Sequence, residues 1–204
     1  MTNGNLVLTT RAEQVTCAFS GTAAKPYYFT SGWVDTFGKL DLPADGLLEV
    51  RAQLPAPVHR VWPAAWIIDK RNDRDTGLCW PLSIEYDVYE STGGLGAADV
   101  CASVHWGLEC NVDRGNQFGC TGRPNDGGFH TYGLRFSPQR VIWYIDGREY
   151  YRNDVGFNGE PLSTVPFALI LNTAISSNFG GPPLGTPPQT VTHAFDWVRV
   201  WTAV

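Results

Sequence analysis

The chain has 204 residues, 43% of them hydrophobic, and a formal net charge of −5. That length suits one domain with a sizeable core, and the acidic balance argues against nucleic acid or an anionic membrane surface as partner. No apolar run approaches the ~18 residues of a membrane-spanning helix, and the polar start Met1-Thr2-Asn3-Gly4 does not read as a signal peptide.

Taken in chain order, strand-like runs rich in β-branched and aromatic residues recur at Asn5–Thr10, Tyr27–Thr30, Leu47–Ala52, Ala65–Ile68, Ile84–Tyr89, Ala102–Trp106, His130–Phe136, Val141–Ile145, Phe167–Ala174 and Thr192–Trp201. Turn signals separate them: Asp45-Gly46, Asp146-Gly147, Asn158-Gly159 and Gly180-Gly181-Pro182-Pro183. Val141–Ile145, Asp146-Gly147 and Arg148–Arg152 form the clearest hairpin, because Asp-Gly supplies the primed turn that matches strand twist. Helical apolar spacing is not sustained anywhere. Many short strands with regular turns predict an all-β sandwich or barrel.

One strand carries unusual chemistry. Glu85-Tyr86-Asp87-Val88-Tyr89-Glu90 places three carboxylates among residues that favour strands. Regular alternation points Glu85 and Asp87 one way and Glu90 the other; one extra residue between Asp87 and Glu90, a β-bulge, brings all three to one surface. Three acids on one face repel each other unless something uses them. Retaining glycoside hydrolysis does use such a set, since it needs a nucleophilic carboxylate and an acid/base carboxylate ~5–5.5 Å apart.

Sugar recognition also calls for flat apolar platforms, and tryptophans lie close to these acids. Trp62 and Trp66 are four apart and so share a strand face; Trp80 precedes Glu85, and Trp106 follows His105. Trp62, Trp66 and Trp80 are read as groove residues, whereas Trp143, Trp197 and Trp201, without polar companions, are read as core. His105 lies in a strand-like run able to pair beside the acids and tune them. His59, His130 and His193 have no comparable context, and no Gly-x-Ser-x-Gly elbow is present. The cysteines Cys17, Cys79, Cys101, Cys110 and Cys120 lack zinc-site spacing. Cys110 and Cys120 bracket a polar loop, 111–119, that a disulfide between them would pin, and the odd count leaves one thiol over. Such usage suits a secreted protein.

These segments, in this order, resemble the laminarinase-like β-glucanases of glycoside hydrolase family 16. The resemblance rests on Tyr28-Phe29-Thr30-Ser31-Gly32, Leu48–Pro55, Trp62-Pro63-Ala64-Ala65-Trp66, Glu85-x-Asp87-x-x-Glu90, His105-Trp106, Phe129-His130-x-Tyr132, Trp143-Tyr144-x-Asp146-Gly147 and Asp196–Val200. It implies a β-jelly-roll sandwich of two antiparallel sheets with a concave substrate cleft, spanning 1–204 as a single catalytic domain. By the same resemblance Glu85 is the nucleophile, Glu90 the acid/base, and Asp87 the group that holds Glu85 and keeps the two apart in proton affinity. Trp62, Trp66, Trp80, His105 and Trp106 are the implied substrate contacts.

Two departures stand out. Little chain precedes the run resembling the family's early strands, which leaves a sheet edge uncovered and removes ligands of a structural calcium that many members hold with the acid of the last strand, here Asp196. Trp33 stands where relatives often carry a basic residue; a sugar platform and a core filler both fit it. No organic cofactor is implied, because transfer to water needs only the two carboxyl groups. The expected partner is a β-glucan polysaccharide and the expected state a monomer.

Other readings remain beside this one. The same chemistry serves agarose, carrageenan, galactan or xyloglucan, and sulfated polymers call for basic clusters such as Arg60, Lys70, Arg71, Arg74 and Arg114, here interspersed with Asp69, Asp73 and Asp75. Transglycosylation replaces water by a sugar hydroxyl. A non-catalytic β-glucan-binding module uses the same aromatic platforms, but leaves the acids unexplained.

Overall fold

The computed structural model describes residues 4–18, 21–55, 61–72, 78–91, 99–115, 117–122, 124, 126–154, 165–175 and 190–202. His59, Arg60, Asp73, Arg74, Asp75, the Asn158-Gly159 turn and the Gly180–Pro183 turn lie outside these residues. Thirteen strands appear among the described residues: β1 (Leu6–Cys17), β2 (Lys25–Thr30), β3 (Trp33–Asp35), β4 (Gly46–Gln53), β5 (Val61–Asp69), β6 (Glu85–Glu90), β7 (Asp99–His105), β8 (Gln117–Gly122), β9 (His130–Ser137), β10 (Arg140–Ile145), β11 (Arg148–Asp154), β12 (Phe167–Ile175) and β13 (Thr190–Thr202).

They form two antiparallel sheets, one in the order β11-β10-β9-β4-β13-β1-β2 and one in the order β3-β12-β5-β6-β7-β8. Period-two patterning builds the layer between them. In β4, Leu48, Val50 and Ala52 are buried while Glu49, Arg51 and Gln53 are not. Leu134 and Phe136 of β9 and Trp143 of β10 join them from the same sheet. Facing these are Tyr86 and Tyr89 of β6, Ala102 and Val104 of β7, and Phe167, Leu169 and Leu171 of β12. The parity that buries this set leaves the alternate residues of β5, β6, β7 and β12 on the opposite, solvent-facing side of the six-stranded sheet.

The Asp146-Gly147 hairpin forms as expected, with both residues at positive φ (50° and 74°), the conformation a type I′ turn demands. The uncovered edge expected beside β1 does not occur, since β1 pairs with β13 on one side and β2 on the other. Two strands were not foreseen. β3 is only three residues long, and β8 carries Gly119 and Gly122 where a strand normally carries bulk. At Gly119 an added Cβ would lie 2.3 Å from the Tyr151 ring of β11, so the glycine admits a close approach between the two sheets.

Three expectations are corrected. The segment 111–119 is not a loop pinned by its flanking cysteines: Gln117–Gly122 is strand β8, and the disulfides are Cys79–Cys110 and Cys101–Cys120, with Cys17 free and exposed. Trp106 is not a groove residue but part of the core, 7% exposed. Trp143 is buried as expected, whereas Trp197 and Trp201 are not core. The β13–β4 register skips Asp196, so alternation inverts there: Phe195, Val198 and Val200 fall opposite the inward residues Ala52, Val50 and Leu48, with Val198 still 37% exposed, and Trp197 and Trp201 fall on the other side.

Candidate active site

The acids owe their placement to a bulge. Against β5, Ala65 pairs with Tyr89 and Trp66 with Asp87, leaving Val88 as the extra residue; against β7, Asp87 pairs with Ser103 and Glu90 with Cys101. Tyr86, Val88 and Tyr89 therefore enter the core while Glu85, Asp87 and Glu90 share the open face. A bulge disturbs the hydrogen-bond ladder. Here the Trp143 indole, reaching across the core, donates to the main-chain carbonyl of Asp87 at 2.6 Å.

Side chains of β7 connect the acids into one network. Ser103 Oγ lies 2.5 Å from Asp87 Oδ2 and 3.0 Å from Glu90 Oε2; with one proton to give, it holds Asp87 and Glu90 together but serves as donor to only one at a time. His105 Nε2 stands 3.3 Å from Asp87 Oδ2 and 4.0 Å from Glu85 Oε1, and its Nδ1 is 2.6 Å from Asp113 Oδ2. Asp113 is itself fixed by the main-chain N–H groups of Gly115 and Trp106, so the ring's orientation is set from outside the acid set. The loop bearing Asp113 is tied to Trp80: Asn111 N donates to Trp80 O at 2.9 Å, and Cys79 is bonded to Cys110. Trp80 packs on His105, ring centroids 5.6 Å apart.

The electrostatics follow from this crowding. Burial, first, pushes the Glu85 carboxyl well above the usual carboxylate range; Asp87 and Glu90 add to that, while the His105 cation and a hydrogen bond from Trp80 work against it. Burial and then Asp87 push Glu90 up to about 8, opposed by His105, Ser103 and Trp62. Burial disfavours charge on His105, but its hydrogen bonds to Asp87 and Asp113 and the charges of Asp87 and Glu85 outweigh it and raise the imidazole to about 10. The site thus sets an imidazolium beside two glutamates whose ionisation burial and crowding oppose and the imidazolium favours.

The expected aromatic residues take up the same face. Trp62 and Trp66 of β5 pair with Ala174 and Ile170 of β12 and share the parity of the acids. Trp66 Nε1 donates to Asn172 Oδ1 at 2.8 Å, and Trp33 of β3 meets Trp66 edge-on at 5.5 Å. Glu85, Asp87, Glu90, Trp62, Trp66, Trp80 and His105 are therefore brought together, and Trp106 is not. Ser103, Asp113 and Asn172 join a set in which sequence reasoning did not include them. For Ser103 a signal existed, because it lies two residues from His105 on the same strand.

Metal binding has two candidate places. Ligand atoms of Glu85, Asp87 and His105 lie within 4.8 Å of one another, and a metal there would have to displace the proton that His105 Nε2 directs at Asp87. Asp196, the acid a structural calcium would use, here takes a 3.1 Å ion pair from Arg51, and among the described residues it joins no group of three potential side-chain ligands. The other two described histidines serve elsewhere. His193 is buried between Tyr89 and Thr173, and His130 bonds Asp126 and Asp146 at the start of β9.

No family model matches the chain. It is 30% identical over 191 residues to glucan endo-1,3-beta-glucosidase A1 of Niallia circulans, a match that takes in 85% of this chain and 26% of the relative. The chain thus spans about a quarter of that relative's length. Among solved structures, endo-beta-1,3-glucanase from Pyrococcus furiosus matches with a TM-score of 0.81 and 25% identity, over 100% of this chain and 77% of that one. A non-specific endo-beta-1,3(4)-glucanase of glycoside hydrolase family 16, co-crystallized with 1,3-beta-D-cellobiosyl-cellobiose, matches with a TM-score of 0.75 and 29% identity, over 98% of this chain and 75% of that one. The bulged acid strand, the jelly-roll sandwich that carries it and these likenesses agree, and the chain is a laminarinase-like member of glycoside hydrolase family 16.

Proposed function

We propose that the chain is a retaining endo-glycoside hydrolase acting on β-1,3 or mixed β-1,3/1,4-glucans, with the open face of the six-stranded sheet as its cleft. The observation that carries this reading is the bulge at Val88, which sets Glu85 and Glu90 on one face on either side of Asp87. In the first step Glu85 attacks the anomeric carbon while Glu90 gives its proton to the departing glycosidic oxygen, so one C–O bond forms as another breaks. In the second step Glu90, now a carboxylate, takes a proton from water, and the water oxygen displaces Glu85. A proton affinity near 8 supports Glu90 as the acid at neutral pH.

Glu85 must start ionised. Burial opposes that state; His105, an imidazolium 4.0 Å away, and the Trp80 indole favour it. Asp87 holds His105 in place by its 3.3 Å contact, and Asp113 holds it from the other nitrogen. Asp87 therefore acts on Glu85 chiefly through the histidine and through repulsion. No cofactor enters these steps.

Glu85→Gln is expected to abolish turnover of laminarin and lichenan while leaving glucan binding intact, and products of the unaltered enzyme are expected to retain anomeric configuration by NMR. Unchanged turnover in that variant would sink the mechanism. A sulfated polymer is the weaker reading, because Lys70 is paired with Asp41 and Arg71 with Asp69. Two disulfides support an extracellular setting, and we take the working state to be a monomer on its polysaccharide.

A further inference from the structure

Among the described residues of the acid-bearing sheet Trp33 is the large aromatic residue left most open, 54% exposed, although it sits in a regular strand and packs on another ring. β3 is the sheet's edge, and its register defines where the ring lies. Trp33 pairs with Asn172, Asn172 with Ala64, Ala64 with Glu90 and Glu90 with Cys101, so Trp33 and Glu90 occupy one row crossing the strands. Three strand spacings separate them, roughly 14 Å, which matches about three sugar rings of a polymer laid across the strands.

The ring is also held. Its indole nitrogen donates to Asp35 Oδ2 at 2.8 Å, and its edge-on contact with Trp66 is 5.5 Å between centroids at 84°. Trp66 in turn is fixed by Asn172. An exposed indole normally loses rotamer freedom when it binds; one already tethered at both ends has little left to lose, and this preorganisation favours stacking. Core filling, which competes as an explanation, does not require the tether and does not leave half the ring in solvent.

From this geometry we propose that Trp33 is a distal stacking platform, specifying a remote glucosyl ring of the same glucan chain that is cleaved at Glu90. The proposal rests on the glucanase reading of the open face and deepens it by giving the site a minimum substrate length on the Trp33 side. The contact is remote from the reacting bond, so it acts on ground state and transition state alike and belongs to KM rather than kcat.

The test separates binding from turnover. In the Glu85→Gln background, Trp33→Ala is expected to weaken laminarihexaose binding about five- to tenfold by calorimetry, with Trp33→Phe restoring much of it and laminaribiose showing a ratio near one. With Glu85 intact, Trp33→Ala raises KM for laminarihexaose by a similar factor at nearly constant kcat. Equal affinities for laminarihexaose with and without Trp33, or the same loss on laminaribiose, overturns the platform. Absence of turnover in the unaltered enzyme would overturn the hydrolase reading instead, and the binding comparison would still decide the role of Trp33.

Discussion

Replacing Glu90 by Gln exchanges a carboxyl group for a neutral amide of nearly the same shape, and the consequence for stability can be worked from its surroundings. Burial and Asp87 raise the Glu90 carboxyl from its ordinary 4.5 to about 8. In the unfolded chain the group ionises near 4.5, whereas in the folded protein it keeps its proton until about 8. Across that window the unfolded state gains free energy that the folded state does not, so stability falls as pH rises. The gap between the two values, at about 1.4 kcal/mol per pH unit, sets a ceiling of roughly 5 kcal/mol above pH 8. Asp87 and Glu85 share the crowding and take up part of the relief, so roughly 2–3 kcal/mol is the expected gain for Glu90→Gln, or about 5–10 °C in Tm for a chain of this size. The Ser103 hydroxyl, 3.0 Å from Glu90 Oε2, can still donate to the amide oxygen. The assay is urea unfolding of both proteins at pH 4 and pH 9. The two curves should nearly coincide at pH 4 and separate at pH 9 with the variant the more stable. A gap of the same size at both pH values, or a variant less stable at pH 9, would refute the account of why Glu90 holds its proton.

His105→Gln removes the cation that lowers the proton affinity of both glutamates, so both limbs of the kcat/KM–pH profile should move to higher pH; a shift to lower pH would contradict the assigned roles. Burial holds His193 down at about 3 from an ordinary 6.5, with its two nitrogens near Tyr89 and Thr173. The unfolded chain takes up that proton below 6.5 and the folded chain does not until about 3, so acid should destabilise the native protein through this window, and His193→Gln should flatten the fall in urea midpoint between pH 6.5 and 3.

What could be read from residues alone follows the parity of strands. The face shared by Trp62 and Trp66 and the need for a bulge between Asp87 and Glu90 both come from counting by twos, and both hold. The same counting places Trp106 opposite to His105, and so in the core; the neighbouring histidine obscured that signal. Parity fails where an irregularity has no local mark. Nothing around Asp196 announces that it will be skipped, and Trp197 and Trp201 therefore turn outward. Cysteine spacing cannot say that Cys101 and Cys120 sit opposite one another, because that depends on β7 pairing with β8, a strand too rich in glycine to be seen. Asp113 and Asn172 reach the site from a loop and from β12, two strands away from the acids, through contacts no local pattern encodes.

The extra residue in the acid strand adds curvature and no length. Striking Val88 out of Glu85–Glu90 leaves Glu, Tyr, Asp, Tyr, Glu, a plain alternation in which the acids still look outward and both tyrosines still look inward. Such a change would leave the sorting of groups between water and core intact, and it would leave the span as well: Glu85 already stands opposite Ile68 and Glu90 opposite Ala64, so six residues of β6 cover the length of five on β5. What the additional residue supplies is a local bend and an extra apolar side chain beneath the acids, while the neighbouring strands fix how far apart Glu85 and Glu90 stand.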